Sequence, residues 1–159
     1  MFKIGDKIVY PMHGAGVITA IEKKEFLGEI KDYYILKMPI GNMSISVPMK
    51  NIDSMNVRDI ITKDEGDEVL EILKSKPSSM PSNWSVRYRE HQKIMKTGDV
   101  FKIAEIVRNL VDFDDKKGLS TTEKKLLNRA RRILASELVM AEAISQDTAE
   151  KMIDESIGL

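Results

Sequence analysis

Apolar positions recur at every second residue in the first third of the chain and at every third or fourth residue thereafter. The two periods predict strands followed by helices. Lys7-Ile8-Val9-Tyr10 reads as a short strand ended by Pro11, and His13-Gly14-Ala15-Gly16 as a glycine turn. Residues 16–24 form a second strand, with Val17, Thr19 and Ile21 alternating against Ile18 and Ala20. A turn within 26–31 leads to a third strand over 32–38, rich in aromatic and β-branched side chains. Gly41-Asn42 marks a tight turn before an alternating strand over 43–48. Short strands at this spacing predict a small, strongly bent barrel of the SH3 or Tudor type. A body of that size suits docking better than enclosing a pocket.

From residue 58 the pattern turns helical. Lys63 to Glu68 is acidic, as a helix start prefers, and Val69, Leu70, Ile72 and Leu73 make an apolar face. Pro77, Pro81 and the serines around them stop any regular element, so 58–81 reads as a helix and a linker. Ser82 or Asn83 caps a helix running to about Lys96, with Trp84 in its first turn and a stop at Thr97-Gly98. Asp99 caps the next, whose stripe is Val100, Ile103, Ala104, Val107, Leu110 and Val111. Ser120-Thr121-Thr122-Glu123 is the pattern of a capping box. It opens a long helix with Leu126, Leu127, Ala130, Ile133, Leu134, Leu138 and Ala141 inward. A last short helix starts near Gln146 and carries Met152, Ile153 and Ile157. The predicted class is α+β in two domains: a β-barrel over 1–57 and an all-helical domain over 82–159.

A hydrophobic content of 42% over 159 residues is enough for packed cores. The chain has no cysteine, which excludes disulfides and zinc–thiolate sites. No apolar run approaches the ~20 residues of a membrane span. With no signal peptide either, a cytoplasmic location and no membrane partner are expected. The net charge is zero. Its distribution is uneven: −1 over residues 1–81, +6 over 82–134 and −5 over 135–159. A basic middle segment points to an anionic partner, or equally to a solvated helical surface.

Catalytic candidates are sparse. His13 and His91 are the only histidines and fall in different predicted domains. They read as a turn residue and a helix-surface residue. There is no Ser-His-Asp set, Walker loop or HExxH, so an enzyme is not expected, and neither is a metal or cofactor. Two basic clusters remain. Arg87, Arg89 and Lys93 lie behind Trp84, the only tryptophan. Lys116, Lys117, Lys124, Lys125, Arg129, Arg131 and Arg132 run from a turn into the long helix, and Lys125, Arg129 and Arg132 share one face of it. Trp84 itself has two readings, a buried core anchor or an aromatic wedge for distorted duplex with arginines on the phosphates. The residues alone leave both open.

Residues 2–16, from Phe2-Lys3-Ile4-Gly5-Asp6 to His13-Gly14-Ala15-Gly16, resemble the opening of the CarD family of bacterial transcription regulators. Pro81-Ser82-Asn83-Trp84-Ser85-Val86-Arg87-Tyr88, Gly118-Leu119-Ser120 and Glu123-Lys124 resemble the family further on. The first segment is shared with the polymerase-interacting module of the transcription-repair coupling translocase; the Asn83-Trp84-Ser85 half is not. The resemblance implies a Tudor-like domain docking on the RNA polymerase β subunit, with Lys24, Phe26, Ile45, Ser46 and Val47 as the contact region. It also implies a helical domain on promoter DNA at the upstream edge of the bubble. There Trp84 would wedge into the minor groove, with basic residues at Arg87, Arg89 and Lys124 on the backbone, so that the open complex is stabilised. Lys93, Lys125, Arg129 and Arg132 complete the expected DNA-facing set, and the protein is expected to act as a monomer. Ser46 and Lys24 stand where familiar members carry arginine, and Val86 where they carry a basic residue. Two other readings remain: a docking adaptor without a DNA wedge, and a general nucleic-acid-binding protein.

Overall fold

The computed structural model describes residues 2–50 and 52–159. Five antiparallel strands, β1 (Lys7–Tyr10), β2 (Gly14–Phe26), β3 (Glu29–Lys37), β4 (Ser44–Pro48) and β5 (Arg58–Asp59), form one sheet in the order β4-β3-β2-β1-β5. A 3-10 turn, Ile52–Met55, precedes β5. Five helices follow: α1 (Lys63–Lys74), α2 (Trp84–Thr97), α3 (Val100–Lys117), α4 (Thr121–Ala141) and α5 (Gln146–Ile157). The architecture is the expected α+β arrangement of a bent sheet and a helical body.

A bulge between Ile18 and Ala20 shapes the sheet. The extra residue, Thr19, flips the side-chain phase, so Ile18 opposite Leu36 and Ile21 opposite Tyr34 fall on one face. Simple alternation through this strand is therefore not what forms. Before the bulge, β2 closes on β1; beyond Glu22 and Tyr33, where β4 ends, β2 and β3 run out as a two-stranded ribbon. Residues 23–32 are all exposed along this ribbon. Its two-residue turn is Leu27 and Gly28, both at positive φ (53° and 79°), which matches the right-handed twist of the flanking strands. Both strands are longer at the turn than the sequence predicts, because backbone pairing continues where no core rewards an apolar pattern. Ile8, Ile18, Tyr34, Leu36, Met38 and Val47 make the small core inside the bend.

The helical core is separate and larger. Val69, Leu70 and Leu73 of α1 pack with the predicted stripes of α3 and α4 and with Ala149 and Ile153 of α5. So the expected segment 58–81 is divided: Arg58–Asp59 closes the sheet against β1, and α1 belongs to the helical core. Thr62 opens α1 with a full capping box to Glu65. The linker after it does not hang free. Ser78 exchanges hydrogen bonds with Asn109 (3.0 Å each way), and Arg108 reaches Ser75 Oγ at 2.8 Å. It joins α1 to α2 within the helical half and is not the tether between sheet and helices.

That junction is made elsewhere. The Ala15 amide donates to Ser136 Oγ on α4 (2.9 Å), and Gly14 packs so close that a Cβ there would lie 2.6 Å from that oxygen. Gly14 also holds φ +107°, so only glycine fits. Asn56 Nδ2 donates to the Lys96 carbonyl at 3.4 Å. Arg58 completes the junction through Glu137 and Gly98.

Candidate functional site

Asn83 caps α2 by accepting from the Ser85 and Val86 amides at 3.0 and 3.2 Å. Trp84 is thus the first helical residue, and it is 50% exposed. It belongs to neither core, so the core-anchor reading is removed. On the helix wheel Trp84 lies on the same side as Arg87 and His91, one turn before the first and two before the second, at the helix start.

Arg87 is not a phosphate contact. It is 2% exposed, and its Nε and Nη2 donate to the two carboxylate oxygens of Glu123 at 2.7 and 2.8 Å. Nη1 donates to the Pro81 and Ser82 carbonyls, and the guanidinium lies 4.2 Å from the Phe113 ring centroid. One buried fork therefore ties the linker end, α2, α3 and the first turn of α4 together. Burial works to raise the Glu123 pKa, but hydrogen bonds from Arg87 and Ser120 hold it below the ordinary 4.5. Glu123 is fully buried. Ser120 still caps α4, accepting from the Glu123 amide at 3.2 Å, but the glutamate carboxylate serves Arg87 and the Ser120 hydroxyl. The predicted capping box is thus half used for capping and half for tertiary structure.

Arg89 and Lys93 are exposed on the far side of α2, turned away from Trp84. Lys124, Lys125, Arg129 and Arg132 are exposed on α4. Lys125 and Arg129 share a groove with Tyr88 and Gln92 of α2, Thr122 and Met12. Gln92 Nε2 donates to the Tyr88 hydroxyl at 2.9 Å. Arg129 and Arg132 also border a second groove that runs to Ile45 of β4 and to His13, Met38 and Ile40 in the turns beside the sheet. A cationic line therefore follows α4 from the flank of the tryptophan helix toward the sheet. His13 is exposed, and partial burial together with Arg129 holds its pKa below 6.5. Tyr88 and Gln92 carry no charge, so the charge pattern does not mark them as groove residues, although their four-residue spacing places them on one helix face.

His91 is a second correction: it is buried, not a surface residue, and its Nδ1 has no hydrogen-bond partner among the described residues. Burial lowers its pKa from 6.5, opposed by Glu123, reinforced by Arg87 and opposed again by Glu90. The folded protein thus refuses a proton that the unfolded chain accepts. The contribution of His91 to stability is complete above pH 6.5 and erodes as pH falls below it. Glu142, raised by burial and by Asp67, contributes with the opposite sign. Both Glu142 and His13 remain in a His91→Phe variant, so comparing the two proteins isolates His91. Urea unfolding at pH 7.5 and 5.5 should show a smaller acid loss in His91→Phe than in the native chain.

The other candidate surface lies on the sheet. β4 is an edge strand, paired on one side with β3. Val47 is buried and Ile45 packs on the same core, so these two offer backbone rather than side chains. Ser46 and Lys24 are on the outer face, joined by an Nζ–Oγ hydrogen bond of 2.6 Å. Phe26 and Leu27 stand 68% and 88% exposed at the ribbon tip. Among the described residues no group of three or more His, Asp or Glu could hold a metal ion, and no helix is long and apolar enough to cross a membrane.

Two family models divide the chain in the same way as the structure. Residues 2–61 match the CarD-like/TRCF RID domain, and residues 68–154 match the CarD C-terminal domain. The chain belongs to the CarD family. The first match ends just past β5 and identifies the bent sheet as the Tudor-like module of CarD proteins. The second covers most of the helical body, including Trp84, Arg87 and Glu123. The chain is also 40% identical over 146 residues to a protein of Bacillus subtilis (strain 168) named "Putative transcription factor YdeB". That match covers 92% of this chain and 95% of the relative.

Proposed function

We propose that this CarD protein is a transcription regulator that bridges RNA polymerase and promoter DNA and stabilises the open complex. The observation that carries the reading is Trp84. A half-exposed indole is presented at a capped helix start, outside both cores, and a buried ion pair holds that helix to a cationic one. Folding gains little from exposing such a ring, whereas stacking on an unpaired base at a bubble edge uses it fully. The β4 edge and the ribbon tip support docking on the polymerase β subunit: an edge strand offers backbone hydrogen bonds, with Lys24, Ser46 and Phe26 beside it. The Tudor-like family module supports the same partner. A protein that binds the open promoter better than the closed one shifts that equilibrium by its differential affinity.

The test has two arms. Capture of the isolated β-subunit lobe should succeed with the native chain, and the protein should lengthen the open-complex lifetime on its own polymerase. Failure to bind the lobe would falsify the bridging role. The DNA contact should be electrostatic and insensitive to sequence, because the sequence carries no recognition-helix signature. Replacing Lys125, Arg129 and Arg132 with alanine should weaken binding to all duplexes alike. The salt dependence of affinity should flatten by about 0.9 in slope per contact removed.

A further inference from the structure

Two arginine–glutamate pairs join α4 to the elements at either end of α2. Arg87, in the first turn of α2, is held by Glu123 in the first turn of α4. At the other end, Gly98 caps α2, and its carbonyl accepts from Nε and Nη2 of Arg58 at 3.0 and 2.7 Å. Arg58 belongs to β5 and donates through Nη1 and Nη2 to the two oxygens of Glu137, at 2.7 and 2.9 Å. Glu137 is 1% exposed and also accepts the Ile61 amide at 2.9 Å. Glu123 and Glu137 stand fourteen residues apart on nearly the same face of α4, about 21 Å along its axis. The helix α2 is itself 14 residues long.

We propose that Arg58 and Glu137 are positioning residues: with Arg87 and Glu123 they clamp α2 at both ends, so that the sheet and Trp84 hold one fixed separation. A carboxylate buried among three donors is a costly feature, and apolar residues would serve stability as well. What the pair adds is direction, because a guanidinium fork fixes both angle and distance. Arg58 bonds the sheet's last strand, the end of the tryptophan helix and α4 together. The inference rests on the proposed reading, since the separation matters only if the sheet docks while Trp84 engages DNA. A rigid bridge makes the second contact at high effective concentration, and a loose one forfeits that gain.

The chain has no cysteine, so Lys7→Cys in β1 and Glu90→Cys in α2 give two unique spin-label sites. In the native background, pulsed dipolar spectroscopy should give one narrow distance distribution. Arg58→Leu combined with Glu137→Met removes both charges, and the distribution should broaden while both halves stay folded by circular dichroism. Capture of the polymerase lobe and affinity for DNA alone should then stay within about twofold, while the gain in open-complex lifetime falls by about tenfold. If the double variant does not fold, Glu137→Gln, which removes the charge and turns one of the two acceptor oxygens into an amide donor, takes its place. Equal distributions in native and variant, or a broadened one with the full lifetime gain, overturn the proposal. If the native protein itself gives no lifetime gain, the proposed function fails, and the distance measurement still decides whether the clamp exists.

Discussion

Replacing Arg87 with alanine should lower folding stability by about 3–5 kcal/mol, the usual result of removing one partner from a buried ion pair. Glu123 would be left fully buried without its charge partner, and the Pro81 and Ser82 carbonyls and the Phe113 ring would lose their contact. Against a typical total of about 5–15 kcal/mol, that loss is visible in any urea titration. Arg87→Met with Glu123→Leu should recover most of it, since well-packed apolar pairs often replace buried ion pairs at little cost. The result separates two roles for one residue. An arginine on phosphate would leave the urea midpoint unchanged and reduce the salt slope of DNA binding instead. That outcome would return Arg87 to the DNA-facing set.

Trp84→Ala should do the reverse. The ring is half exposed and outside both cores, so the stability change should be at most about 1 kcal/mol. Lobe capture should be unaffected, because Trp84 is not part of the sheet. The open-complex lifetime should shorten by roughly tenfold or more, as expected where base–aromatic stacking is worth about 1–3 kcal/mol. Trp84→Phe should retain part of the effect, since it keeps a flat apolar ring. An unfolded Trp84→Ala protein, or one with native lifetimes, would remove the wedge from the mechanism.

Much of this protein was legible in its residues. The period-two stretch, the proline and glycine stops and the Asp99 and Ser120 caps located most elements, because these signals act within a few residues of backbone. The apolar stripes of α3 and α4 proved to be core, since a stripe of that width must be buried somewhere. Trp84 was located at a capped helix start, and family resemblance supplied the reading of it as a wedge. What failed were the readings of individual charged and polar side chains whose partners lie far along the chain. Arg87 looked like the fringe of Trp84 because helix spacing puts them side by side. Its true neighbour, Glu123, is 36 residues away. The buried stripe of α2 is Arg87, His91 and Met95, two polar residues and one apolar, so hydrophobic periodicity could not reveal which way the helix faced. Likewise Arg58 and Glu137, 79 residues apart, gave no local sign of joining sheet and helices. Local pattern determined the elements and where Trp84 starts its helix. The tertiary structure decided which charges are free to meet an anion and which are buried, because burial and pairing depend on distances that sequence spacing does not encode.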